Sequence, residues 1–295
     1  MNIFYRLFIA IFKKSAKRKL YTRSLSKLSP PNLHPALDDK AVHFKHSGLL
    51  GDIIYAIPAM QVLSQNKKIH LHLHINQRST YKKSMKHPNM GKLLTENNVR
   101  MLASLLLSQP DFSACDIYSD QKTDYDLDEF RKYPFDYNTN NICRFYFHMY
   151  GITADLSKPW LTVIPDNNYK NEIIIARSLR YHAPMITYDF LQSYPNITFV
   201  GMREEFDDLK KSIPTLKYKQ VSDFSELAKI IAGCKFFIGN QSFPFAIAEG
   251  LKVKRVLEVC FECPNVIPQG KDAYDFCYQL QFEKIIQELY QKTVT

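Results

Sequence analysis

From residue 41 onward the sequence alternates apolar runs of strand length with helical ones, and this alternation starts twice. In the first series residues 41–45 read as a strand, HSGLLG as a turn and residues 52–63 as a helix. Residues 69–75 alternate apolar and polar side chains with the period of a half-buried strand. Residues 98–107 fit a short strand or a helix equally well, residues 114–120 read as a strand, and residues 141–150 have helical spacing with many aromatics. The second series opens near Asn171. Strands are predicted at 172–176, 197–201, 235–239 and 255–259, with helices at 224–234, 244–251 and 279–291. Strands separated by helices favour parallel sheets flanked by helices, an α/β fold. The restart follows residues 159–165, which places the domain boundary there. The expected organisation is a basic tail and linker over 1–40, α/β domains over 41–165 and 166–270, and a closing helix over 271–295.

The formal charge of +10 raises the question of a nucleic-acid partner. Residues 1–37 hold eight cations and no acid, so removing them leaves about +2 on the remaining 258 residues. A nearly neutral body argues against nucleic acid. In the tail, Phe4, Leu7, Phe8 and Ile11 can share one helical face with basic residues beyond. That pattern suits a helix lying on an anionic membrane surface through residues 1–28, and equally a flexible basic leader or a helix packed on the body. Most of the charge follows the apolar run and no small-residue cleavage site is evident, unlike a secretory signal. No apolar run approaches the ~20 residues that span a bilayer. A cytoplasmic location is expected, peripheral on the inner membrane face if the tail binds lipid. The six scattered cysteines then read as reduced thiols, Cys260 and Cys263 forming a lone CxxC.

Two strand-to-helix turns carry unusual chemistry, and in doubly wound sheets ligands bind where such turns converge. The first is His46, Ser47, Gly48, Leu49, Leu50, Gly51 and Asp52. Gly48 and Gly51 allow close backbone approach or positive φ, and Asp52 can cap the following helix. In the second, a strand ends at Gly239, polar Asn240, Gln241 and Ser242 follow, then Phe243, with Pro244 at the favoured first helical position. Such a helix start offers free backbone N–H groups to a diphosphate. Arg177 and Arg180 follow the strand at 172–176 and suit forked contacts to phosphate oxygens, or a solvated loop. His70, His72 and His74 share one strand face without an accompanying carboxylate or cysteine, so a metal site is not expected.

Together, residues 45–63 and 236–259 resemble the heptosyltransferase-like enzymes, glycosyltransferase family 9. There a glycine-bearing loop, Gly-Asp and an apolar helix with a proline follow the first strand, and a polar small-residue loop with an Ala-rich helix precedes the last. The resemblance covers residues 41–265 in order, with two departures. The second loop reads Asn240-Gln241-Ser242 where the family often has Asp-Ser-Gly, and Phe245 stands near the place of a histidine.

This resemblance implies a GT-B fold of two Rossmann-like domains facing a cleft, with acceptor on the N-terminal domain and donor nucleotide on the C-terminal one. It implies inverting transfer of a sugar, heptose or hexose-like, from a nucleotide-diphosphate donor to a saccharide or glycolipid acceptor in bacterial surface glycan or lipopolysaccharide synthesis. Asp52 would be the general base, beside a loop of Ser47, Gly48 and Gly51. The donor surface would comprise Arg177, Arg180, Gly201, Asn240, Gln241, Ser242, Phe243 and Glu249, with no metal and no separate cofactor. The alternatives are a nucleotide-sugar epimerase of the same fold and a non-catalytic nucleotide- or sugar-binding protein.

Overall fold

The computed structural model describes residues 40–79, 89, 91–133 and 136–291. The basic tail lies outside the described residues. In chain order, β1 (Ala41–His46) leads into α1 (Leu50–Ser64), followed by β2 (Lys68–Leu73) and α2 (Glu96–Leu106). Then come β3 (Phe112–Ile117), a two-residue β4 (Tyr125–Asp126), a 3-10 helix over Leu127–Lys132, and α3 (Ile142–Tyr150). The four strands form one parallel sheet in the order β3-β2-β1-β4.

The run at 98–107, open between strand and helix in the sequence, lies mostly in a helix. Thr95 stops the preceding chain, its hydroxyl accepting from the Asn98 N–H at 3.3 Å while the Asn98 side chain accepts from the Thr95 N–H at 3.0 Å. Val99, Leu102, Leu105 and Leu106 then fall on one buried stripe. The aromatic run becomes α3 because Asn141 caps it, accepting from the Cys143 N–H at 3.0 Å, and Gly151 ends it at φ +62°.

The second half holds β5 (Ile173–Ala176), β6 (Ile197–Val200), α4 (Arg203–Leu209), β7 (Lys217–Lys219), α5 (Phe224–Gly233), β8 (Phe236–Asn240), α6 (Phe243–Leu251), β9 (Arg255–Glu258), β10 (Ala273–Phe276) and α7 (Gln279–Gln291). Its parallel sheet runs β10-β9-β8-β5-β6-β7. Strands β5, β6, β8 and β9 are buried at every position, as strands covered by helices on both faces must be. The segment from 271 was expected as a closing helix alone. It first contributes β10 to the sheet edge, a strand too polar to stand out in the sequence.

One apolar core runs without interruption between the sheets. It takes Phe44, Ile54 and Leu71 from the first half and Ile174, Phe237, Phe245 and Leu257 from the second. Helix α1 packs on α6, and α2 on α5. A separate core on the far face of the second sheet joins Phe199, Phe236 and Val256 to Phe282 and Ile286 of α7. Among the described residues no helix is long and apolar enough to cross a membrane.

Candidate active site

Strand β1 ends in His46, a wholly buried imidazole. The Gly48 N–H donates to its Nδ1 at 2.8 Å, so the ring proton sits on Nε2 and faces Tyr146 Oη at 2.9 Å. Burial lowers the pKa of His46 to about 4, which keeps the ring neutral around pH 7. A Cβ on Gly48 would stand 2.5 Å from His46 Cε1, 2.7 Å from Arg131 Nη2 and 2.8 Å from Asp52 Oδ2. The glycine thus serves side-chain crowding. Neither Gly48 nor Gly51 adopts positive φ, which corrects that part of the sequence reading. The Ser47 N–H donates to Asp128 Oδ1 at 3.1 Å and ties the turn to the following 3-10 segment.

Asp52 lies in the first turn of α1, where its Oδ2 accepts from the Leu49 N–H at 3.2 Å. Arg131 Nη2 approaches the same oxygen at 3.4 Å. Burial pushes the Asp52 carboxyl above the ordinary range, against the opposing pull of Arg131 and the Leu49 N–H. The side chain still keeps 24% of its surface exposed, on the wall of a cleft between the two sheets. It combines a capping role with an accessible, more basic carboxylate.

Across that cleft β8 ends in Asn240. The wholly buried Asn240 side chain accepts from the Ser178 N–H at 3.0 Å and donates to the carbonyls of Ser178 and Arg180, at 3.0 and 2.5 Å. Gln241 donates to the Cys263 carbonyl at 2.5 Å and Asn265 Oδ1 at 2.7 Å, and accepts from the Cys260 N–H at 3.2 Å. Both amides therefore pin neighbouring loops, although Gln241 also lines the cleft. Ser242 precedes α6 and makes no side-chain cap bond; Pro244 sits in the first turn. The first backbone N–H groups of α6 have no partner within the helix, and its positive end faces the cleft. The ring of Phe243 packs on Phe224 at 4.4 Å between centroids, and its Cα lies 3.9 Å from where a Gly51 Cβ would be. Gly51, Asp52, Arg180, Gln241, Ser242 and Phe243 thus meet in one place.

Besides Asn240, three residues expected on the donor surface are placed elsewhere. Arg177 forks onto Glu258, with Nε 2.6 Å from Oε2 and Nη2 2.8 Å from Oε1. Glu258 is wholly buried and also accepts from the Ala183 N–H at 2.8 Å and Tyr188 Oη at 2.9 Å. This guanidinium anchors a loop instead of facing a phosphate. Glu249, near the far end of α6, is bound by Lys252, Arg255 and the Gln269 N–H. A buried carboxylate needs such partners, and they hold it away from the cleft. Gly201, at φ +151°, lies outside the cleft; a Cβ there would meet the Phe199 ring at 2.9 Å.

The histidine strand also differs from expectation, because a carboxylate does accompany it. His72 Nδ1 lies 2.6 Å from Asp116 Oδ1, and His72 Nε2 lies 3.0 Å from His43 Nδ1. Among the described residues no three His, Cys, Asp or Glu side chains are grouped to hold a metal ion. The sequence reading missed Arg131 and Tyr55. Arg131 sits in an aperiodic stretch 79 residues from Asp52, and Tyr55 reads as one more apolar residue of its helix.

Two helix-flanked parallel sheets, with the ends of β1 and β8 opening on a common cleft, define an α/β fold of the GT-B type. No protein-family model and no curated protein matches the sequence. Among solved structures the chain is similar to the E. coli heptosyltransferase WaaC with ADP-2-deoxy-2-fluoro heptose. The identity is 10%, over 85% of this chain and 99% of that one, with a TM-score of 0.50. It is similar to a family 9 glycosyl transferase from Veillonella parvula at 14% identity, over 87% and 93% of the two chains, with a TM-score of 0.53. The dodecameric iron-containing heptosyltransferase TibC in complex with ADP-D-beta-D-heptose matches at 14% identity, over 88% and 80%, with a TM-score of 0.50. At these identities the likeness is one of fold.

Proposed function

We propose that the chain is an inverting glycosyltransferase that moves a sugar from a nucleotide-diphosphate donor to a hydroxyl of a saccharide or glycolipid acceptor. One observation carries this reading: the Asp52 carboxylate and the head of α6 line the same cleft from opposite lobes. A base on one side and a positive helix end on the other suit displacement at an anomeric carbon between them. Asp52 takes the acceptor proton as the new glycosidic bond forms, and its raised basicity favours that transfer. The α6 head and Arg180 meet the negative charge that develops on the departing diphosphate. In this reading no metal is needed, and a chelator leaves turnover unchanged. Heptose is the sugar suggested by the structural neighbours, and bacterial surface glycan or lipopolysaccharide the corresponding product.

The direct test is calorimetric titration with ADP, UDP and GDP, followed by a search for sugar transfer from the nucleotide that binds. Binding that Ser242→Trp abolishes supports the site. Absence of binding by all three nucleotides overturns it.

A further inference from the structure

Three consecutive N–H groups in the turn between β1 and α1 donate to side chains. Ser47 donates to Asp128 Oδ1 at 3.1 Å, Gly48 to His46 Nδ1 at 2.8 Å and Leu49 to Asp52 Oδ2 at 3.2 Å. With these groups committed, the turn is a frame for the carboxylate. His46 holds that frame at two points. Its Nδ1 fixes the Gly48 N–H, next to the Leu49 N–H that grips the Asp52 side chain. Its Nε2–H donates to Tyr146 Oη at 2.9 Å, and that hydroxyl donates in turn to the Asp52 carbonyl at 3.4 Å. Both side chains are wholly buried, and Tyr146 comes from α3, 100 residues further along the chain. A leucine at the end of β1 would fill the core without any of these bonds, whereas a buried imidazole costs free energy unless its nitrogens are paired. Only the neutral ring protonated on Nε2 can accept from Gly48 and donate to Tyr146 at once.

Resting on the glycosyltransferase reading, we propose that His46 is the positioning residue of the base, fixing through Gly48 and Tyr146 the peptide frame from which Asp52 is aimed at the acceptor hydroxyl. It acts on the reaction only through Asp52. The consequence is electrostatic as well as geometric. Burial is the largest influence on the Asp52 carboxyl and raises its pKa; Arg131, the Leu49 N–H and Arg180 lower it, and Asp128 raises it. When His46 releases Gly48, the turn relaxes, the Leu49 N–H loses its aim, and Asp52 holds its proton to higher pH. The loosened carboxylate is also misaligned, and a displacement of about 1 Å can cost about a hundredfold in rate.

The test compares His46→Gln, His46→Asn and Tyr146→Phe with wild type, all as full-length protein. The asparagine oxygen can stand where Nδ1 accepts from Gly48, and the glutamine amide where Nε2 donates to Tyr146, so the two variants cut the frame at different points. Turnover is measured with ADP-heptose, UDP-glucose and GDP-mannose, and the Asp52 carboxyl titration is followed by carbon NMR, with Asp52→Asn assigning the signal. His46→Gln should lower kcat roughly ten- to hundredfold at unchanged donor KM. It should also move the Asp52 titration, and with it the acid limb of the pH–rate profile, to higher pH. His46→Asn keeps the Gly48 bond and should show smaller changes in the same direction. Tyr146→Phe changes little volume; it keeps the proposal testable if the His46 variants do not fold, and should shift the same readouts by less than His46→Gln. An Asp52 titration that stays in place in the folded variants, or a loss confined to the melting temperature, makes His46 a support of the fold alone and overturns the proposal. Wild-type protein that transfers from none of the three nucleotide sugars overturns the glycosyltransferase reading, while the Asp52 titration still decides whether His46 holds the carboxylate.

Discussion

Arg131 Nη2 lies 3.4 Å from Asp52 Oδ2 while Nη1 of the same guanidinium is held by Asp128 Oδ1 at 2.5 Å. The arginine is thereby oriented by one carboxylate and leans on another. Burial raises the pKa of Asp52, and Arg131 is the largest influence opposing that rise. Arg180 also lowers it, whereas Asp128 raises it. The basicity of the proposed catalytic carboxylate is therefore set first by burial and tempered by Arg131, 79 residues away, and by the neighbouring Leu49 N–H.

Asp52→Asn separates catalysis from capping. Asparagine can still accept from the Leu49 N–H, so the start of α1 should survive. Transfer is expected to fall by about 10²–10⁴. Because the folded-state pKa is raised above 3.8, Asp52 contributes its full stability below that value and loses it as pH rises through the folded-state pKa. The variant should therefore gain stability relative to wild type as pH climbs from about 4, then level off. Melting curves across pH, with turnover on the same samples, check both statements.

Arg131→Gln removes the opposing cation, so Asp52 holds its proton to higher pH. Activity requires the ionised carboxylate, and the acid limb of the pH–rate profile should move upward. A limb that stays in place would show that Arg131 does not tune Asp52.

Arg177 and Arg180 are only three residues apart, yet they should behave differently. Arg177→Ala leaves buried Glu258 without its cation and should destabilise the protein by about 3 kcal/mol or more, as loss of one partner of a buried ion pair does. Arg180→Ala should cost less stability than Arg177→Ala and weaken nucleoside diphosphate binding by roughly 1.5–3 kcal/mol. Denaturant unfolding and calorimetry on the two variants distinguish these roles.

Removal of residues 1–28 should leave a folded body whose binding to anionic vesicles is reduced at low salt. Each cation near such a surface contributes about 1 kcal/mol. Vesicle co-sedimentation of full-length and truncated protein provides the measurement, and equal binding would exclude the tail as an anchor.

Elements that rest on local signals were readable from the residues alone. Ile173–Ala176 and Ile197–Val200 are short apolar runs, and both are buried strands. Asn141 caps the helix expected over 141–150 through the Cys143 N–H, whereas the run at 98–107 stayed open between strand and helix until the structure showed its Thr95 cap. The starts of α1 and α6 were legible in the same way, because turn chemistry and helix entry are decided over a few neighbouring residues. Strands β4, β7 and β10 were not legible: they are short and partly polar, and exist as strands because a neighbouring strand pairs with them. The partners of the charged groups also lay beyond the sequence. Desolvation requires a cation or several donors for a buried carboxylate, but it does not say where in the chain they lie. Only the tertiary structure assigned Arg177 to Glu258, 81 residues away, and Arg255 to Glu249, and drew both pairs out of the cleft. The same packing brought Arg131 to Asp52 and left the hydroxyl of Tyr55 facing no partner among the described residues.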